Sequence, residues 1–344
     1  MSHINTISEF LLQAGTDYRV FDMGRGYHSI SSQTFLDIEN ALIPAPYPRQ
    51  QHAWFGLIFF NKHLNKEHYI WFVKLPLDER GLLISAGRNH FLQIIIDALG
   101  LQLENTTETK GQLPENPYSF VPNQQQLADF NSISRQELKL GNSTQYPIAV
   151  NYFQQPEQTD WREVPLQGIA DIAARAKQKD TINLLIKNFT KLAPEVQKAF
   201  CASLEHQELG NVLSKHLNTW LLQDFSDQNR LHSCLRALSQ SSAKSLVKKT
   251  LLKTLNSEHA NDENVFILIA ARHWQHLTDE KLLKLFINKL TELNSEVFTS
   301  LFADLVQIPM LRTHMLNVLR WPEKSSTLTA VIGQLFSGQS NEPI

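Results

Sequence analysis

Apolar residues follow two different periods along this chain. In the first part they alternate, as on a strand with one buried face. YRVFD from Tyr18 and YHSIS from Tyr27 flank the sequence MGRG, whose glycines accept the positive φ of a tight hairpin connection. HAWFGLIFF from His52 and HYIWFVKL from His68 are two further β-rich runs, and LPLDERG leads into a short one, LLIS. Together they predict an antiparallel sheet of four or five strands. Helical spacing flanks them: Ile4, Ile7, Phe10, Leu11 and Ala14 up to Gly15, then Phe35, Ile38, Glu39 and Leu42 before PAPYP, then Phe91, Ile94, Ile95, Ala98 and Leu99. The polar run ENTTETKGQLPENP reads as a loop, followed by helices over Gln124 to Leu140 and Thr144 to Phe153.

PEQTDWREVP then marks a junction. The expected division is residues 1–160 as an α+β domain, an antiparallel sheet with flanking helices, and 161–344 as an all-α, helical-repeat-like domain. Beyond it the period is that of amphipathic helices: Ile182, Leu185, Ile186, Phe189 and Leu192; Leu209, Val212, Leu213, Leu217 and Trp220; Leu282, Leu283, Phe286, Leu290 and Leu293. Start signals at Pro194, Ser226, Asp262, Asn294 and Pro322 stand 32, 36, 32 and 28 residues apart, and each interval holds two helices. This quasi-repeat suggests an irregular, HEAT-like α-solenoid; the Trp, Gly, Tyr and Pro signature of tetratricopeptide repeats is missing. A closed helical domain without a usable groove is the alternative.

Composition narrows the function classes. With 42% hydrophobic and 19% charged residues the chain is a globular protein, and 32 Lys plus Arg against 34 Asp plus Glu is too balanced for a surface devoted to nucleic acid or anionic lipid. The halves differ, however: net −5 over residues 1–160 and +3 over 161–344. The longest apolar runs, such as Val265 to Ala271, are too short to cross a bilayer, so no membrane association is expected. The N-terminal stretch lacks a basic n-region and carries Glu9, unlike a secretory signal, and the expected location is cytoplasmic. Cys201 and Cys234, the only cysteines, sit in helical apolar patterns, which argues against a disulfide framework and for small buried core residues.

The strings FDMGRGYHSIS, PYPRQQHAWFGLIFF, YIWFVKLPLDERGLL and WREVPLQGIADIAARA, in that order, resemble the domain-of-unknown-function family 3549 of gammaproteobacteria. The similarity spans almost the whole chain. It implies a bacterial cytoplasmic protein and brings no activity, cofactor or catalytic residue with it.

The chemistry must therefore come from the residues. P-loop, GxGxxG, GxSxG and HExxH motifs are all missing, so no cofactor is expected. His63 with His68 and His273 with His276 are the closest approaches to a metal site, and neither pair has a third ligand. The basic run with Lys244, Lys248, Lys249 and Lys253 splits into two directions about 140° apart on a helix, which makes a solvated face the better reading and nucleic acid an unlikely partner. Trp54, Trp71 and Phe72 lie in β-rich runs and read as core. Charged residues gather in two turns: Asp22, Arg25 and His28 around MGRG, and Asp78, Glu79 and Arg80 in the second. If both turns lie at one end of the sheet, these six form a candidate interaction site, with Arg25 exposed at the hairpin tip. The favoured reading is a non-enzymatic adaptor that binds a protein or peptide partner. The alternatives are an enzyme working at the turns and a nucleic-acid binder using the helical domain. A deep pocket gathering those side chains would favour the enzyme, and a groove along the helices the binder.

Overall fold

The computed structural model describes residues 4–61, 68–104 and 114–337. Two compact units divide the chain: Met1–Pro122 with Val306–Arg312, and Asn123–Leu305 with Thr313–Ile344.

The first unit runs α1 (Ile7–Gln13), β1 (Thr16–Asp22), β2 (His28–Ile30), α2 (Ser32–Glu39), β3 (His52–Asn61), β4 (His68–Pro76) and α3 (Ser85–Glu104). The strands form one antiparallel sheet in the order β2-β1-β3-β4. Alternation puts Tyr18, Val20, Ala53, Phe55, Leu57, Trp71, Val73 and Leu75 in one core with Ile7 and Leu11 of α1, Phe35 and Ile38 of α2, and Phe91 and Ile95 of α3. Burying that apolar face is what holds helices and sheet together. Thr6 and Glu9 form a capping box at the start of α1. The buried Glu39 carboxylate also accepts from the Ile7 N–H at 2.6 Å and the Ser8 N–H at 3.1 Å, tying α2 to α1. The expected short strand LLIS is reduced to a single bridge between Leu83 and Leu77, because α3 begins at Ser85. Residues 62–67, including His63, and most of the ENTTETKGQ run lie outside the described residues.

The second unit is helical: α4 (Gln124–Glu137), α5 (Tyr146–Gln154), α6 (Leu166–Ala173), α7 (Lys179–Asn188), α8 (Pro194–Leu204), α9 (Asn211–Gln223), α10 (Gln228–Ala237), α11 (Lys244–Leu255), α12 (Glu263–Arg272), α13 (Glu280–Leu290), α14 (Ser295–Val306), α15 (Pro309–Val318) and α16 (Ser326–Ser337), except that the last residue of α14 and the start of α15, up to Arg312, fall in the first unit. Helices two apart in sequence pack on each other: α4 on α6, α6 on α8, α8 on α10 and α10 on α12, and likewise α5 on α7 and α7 on α9. The spacing of hydrogen bonds repeats with the helices. His259 Nε2 meets the Phe225 carbonyl across 34 residues, Thr250 donates to Asn218 across 32, and the Ser239 hydroxyl donates to the Glu205 carbonyl across 34. The compact division falls upstream of the junction at 160: α4 and α5 pack on α6, and α4 also touches α8. PEQTDWREVP accordingly lies between two packed helices of the same unit. Among the described residues no helix is long and apolar enough to cross a membrane.

Candidate functional site

At the MGRG turn the backbone comes unusually close to the loop at residues 44–49. A Cβ on Gly24 would sit 1.9 Å from the Tyr47 carbonyl oxygen, so glycine is required there for space, while Gly26 has φ +134° and is the residue that uses the left-handed region. Arg25 does not stand at an exposed tip. It is 2% exposed, with Nε donating to the Pro48 carbonyl at 2.8 Å. The loop that returns from α2 covers the arginine, and a guanidinium under such cover needs acceptors of this kind. Asp22 is fully buried beside it and accepts from the Gly24 N–H at 2.8 Å. Burial pushes its carboxyl up to about 8, against the pull of that N–H and of Arg25 and Arg49. The His28 ring stacks on Tyr47 with centroids 4.1 Å apart, and the Arg49 guanidinium lies 3.9 Å above the Trp54 ring. Trp71 is buried, while Trp54 and Phe72 are half-buried and both pack against Phe120.

The register places Asp22 opposite Phe55 and His52 opposite Pro76, so both charged turns lie at one end of the sheet. The loop at 44–49 lies against each: Arg25 bonds to Pro48, and the Ala45 N–H donates to the Gly81 carbonyl. Asp78 turns inward on its own loop, accepting from the Arg80 and Leu82 N–H groups at 2.9 and 2.8 Å. Glu79 and Arg80 are exposed; their carbonyls accept from Arg312, whose segment belongs to the same unit. Asp22 and Arg25 thus act as packing partners under a loop, and Asp78 shapes its own turn.

The strongest concentration of buried charge lies in the helical unit. A cavity of about 470 Å³ is lined by Gln125 and Asp129 of α4, Lys198 and Ala202 of α8, Glu205 and His206 just beyond α8, Arg236 of α10 and Arg272 of α12. Glu205, with a side chain only 3% exposed, is the hub: Arg236 Nε donates to it at 2.6 Å, Arg272 Nη2 at 3.0 Å, and His206 Nε2 lies 3.4 Å away. Burial pushes Glu205 up, but the charges of Arg272, His206 and Arg236 outweigh it and hold the carboxyl at about 2. Asp129 moves the other way. Desolvation raises it to about 7 against hydrogen bonds from Ser203 and Gln125, whose Nε2 reaches both carboxylate oxygens at 3.0 Å, and His206 Nε2 is 3.8 Å away. Two carboxyls facing one cavity therefore differ in ionisation near neutral pH.

A second cavity, about 270 Å³, adjoins the first, since Glu195 and Lys198 line both. Its other walls include Trp220, Asn229, Arg230 and Ser233, with the Arg230 guanidinium 5.1 Å from the centre of the Trp220 ring. Sequence reasoning missed both cavities. The available signal was the i, i+3, i+7 spacing of Glu195, Lys198 and Ala202 along one face of α8 and the i, i+4, i+7 spacing of Asn229, Ser233 and Arg236 on α10.

The remaining candidates are absorbed by packing. Cys201 and Cys234 are buried, and burial pushes the Cys201 thiol up to about 12, far from a reactive thiolate. His273 is buried with Nε2 2.8 Å from the Leu235 carbonyl, and desolvation holds it at about 3 and His276 at about 4. Among the described residues no three His, Cys, Asp or Glu side chains are grouped to hold a metal ion. In the basic run, Lys248 pairs with Asp279 at 2.5 Å and Lys253 lies 4.2 Å from the Phe225 ring centre.

A family model described as "Protein of unknown function (DUF3549)" matches residues 2–336. No curated protein and no solved structure matches the chain at a significant level.

Proposed function

The chain belongs to the DUF3549 family, which carries no activity to inherit, and from that premise we propose that it is a non-enzymatic cytoplasmic adaptor whose helical unit holds a segment of a protein partner. The observation that carries this reading is the adjoining pair of cavities, one charged and one walled in part by Trp220, joined through Glu195 and Lys198 of α8. A run of this kind suits an extended segment better than a single small molecule, which one enclosed apolar pocket would bury. The packing of α4 on α6, α6 on α8, α8 on α10 and α10 on α12, with α5 on α7, α7 on α9 and α11 on α13, supports an α-solenoid, the architecture in which stacked repeats present a long binding face. Such a protein needs no cofactor. The charged turns of the first unit are a weaker candidate, because Asp22 and Arg25 are spent on packing; Glu79 and Arg80 remain the groups there that a partner could reach.

The test is photocrosslinking from the full-length protein in its own cells. A benzophenone amino acid at Asn229, exposed on the cavity wall, should give a discrete crosslinked partner, and the same group at Lys187, exposed on α7, should not. Equal products from both positions, or none from Asn229, would overturn the groove.

A further inference from the structure

Resting on that reading, we infer that the cavity between α4, α8, α10 and α12 is the seat for one carboxylate, an aspartyl or glutamyl side chain of the bound segment. The donors are specific. Glu205 fixes Arg236 through Nε alone, so among the described residues both terminal nitrogens of that guanidinium are without a hydrogen-bond partner. Arg272 spends Nη2 on Glu205 and Nη1 on the Ala271 carbonyl at 3.4 Å, and its Nε is enclosed, so it contributes charge to the cavity and no free fork. The free end of Arg236, two terminal nitrogens side by side and held in place by Glu205, is the planar fork that a second carboxylate accepts, and Arg272 adds its charge beside it.

Charge decides which anion fits. The lining holds three basic side chains, Lys198, Arg236 and Arg272, against three carboxyl groups, Glu195, Asp129 and Glu205, of which Glu205 is held ionised by its arginines. Whenever burial keeps Asp129 protonated, the basic side chains of the lining outnumber its carboxylates by one. A single negative charge neutralises that lining, whereas a dianionic phosphate would face Glu195 and Glu205 with its extra charge uncompensated. The groups facing Asp129 are Gln125, Ser203, Glu205, His206 and Arg236, so its ionisation places a negative charge directly opposite the incoming anion.

The test uses the full chain and a dye-labelled, capped pentapeptide with one glutamate between glycines, followed by fluorescence anisotropy. Saturable binding is expected, with a glutamine-containing control peptide bound about tenfold more weakly, the loss typical of removing one charge-assisted contact. Arg236→Lys, which keeps the charge and loses the fork, should weaken the glutamate peptide, and Asp129→Asn should tighten it at pH 8. The asparagine change removes no cation, so it keeps the test valid even where an arginine variant fails to fold. Equal affinity for the two peptides, competition by inorganic phosphate at lower concentration than by acetate, or weaker binding by Asp129→Asn would overturn the inference. If the peptide fails while the Asn229 crosslink persists, the carboxylate seat falls and the groove stands; loss of both removes the groove as well.

Discussion

At Gly24 one atom decides how the first unit closes. Because a Cβ there would meet the Tyr47 backbone rather than a side chain that could swing away, Gly24→Ala must push the 44–49 loop outward. Overpacking of this sort costs about 1–3 kcal/mol, and a lowered urea midpoint at unchanged slope would record it; an unchanged midpoint would mean that the loop yields freely. Arg25→Ala should also destabilise, by about 1–3 kcal/mol, since it strips the Pro48 carbonyl of its buried donor. Arg25 shows why the sequence misleads here. Flanked by two glycines it looks like a solvated tip, and the cover arrives from a loop more than twenty residues away that no local pattern contains. Asp22 carries a pH dependence with a definite sign. Its carboxyl ionises near 3.8 in the unfolded chain and about 8 in the folded one, so the folded state binds the extra proton between those values. Stability from this group therefore falls as pH rises from about 4 to about 8. Asp22→Asn should raise the melting temperature at pH 8 relative to the natural protein and change it least near pH 4, and melts across that range would expose the opposite trend.

Among the helices, one side chain joins three elements. Glu205 follows α8 and binds Arg236 of α10 and Arg272 of α12, with burial opposing its charge and the two arginines restoring it. Glu205→Gln leaves two partly buried guanidiniums without their counter-ion, and breaking a buried pair costs about 3–5 kcal/mol. The sign is opposite to that of Asp22. Depressed from 4.5 to about 2, Glu205 contributes stability that is present above about 4.5 and lost as pH falls toward 2. Melts of the glutamine variant should thus lie well below the natural protein at pH 7 and converge with it near pH 2; parallel curves would refute the assignment. Much of the order of these helices was legible beforehand, because Pro194 begins α8, Asp262 caps α12 and Asn294 precedes α14; Ser226 lies next to the true cap of α10, Asp227, and α16 starts at Ser326, past Pro322. The cavity was not legible. Asp129, Glu205, Arg236 and Arg272 come from four separate elements, and each alone reads as a solvated helix-face or helix-end residue. Likewise the lysines of α11 look available in sequence, yet Lys248 is held by Asp279 and Lys253 by the Phe225 ring.

For the molecule as a whole, the question is where the helical unit begins. Composition shifts near residue 160, and a fragment 161–344 carries its own amphipathic periods and caps, which is the case for its folding alone. The contacts argue for a longer piece. Phe130 of α4 and Ala149, Tyr152 and Phe153 of α5 are buried, Phe153 packs edge-on against Phe200 of α8, and the Asn188 side chain donates to the Phe153 carbonyl at 2.9 Å. Asp171 of α6 is 1% exposed and accepts from the Ser132 hydroxyl of α4 at 2.6 Å and the Ser143 N–H at 3.2 Å; a fragment from 161 loses both and keeps only Gln167, at 3.2 Å. A fragment 161–344 would therefore open the α6 and α8 faces to water, an apolar patch of the kind that promotes association. We expect 123–344 to melt cooperatively and at higher temperature than 161–344, with the shorter fragment binding an apolar dye before it unfolds. Circular dichroism melts of the two fragments decide it: coincident transitions would return the boundary to residue 160 and reduce α4 and α5 to dispensable cover.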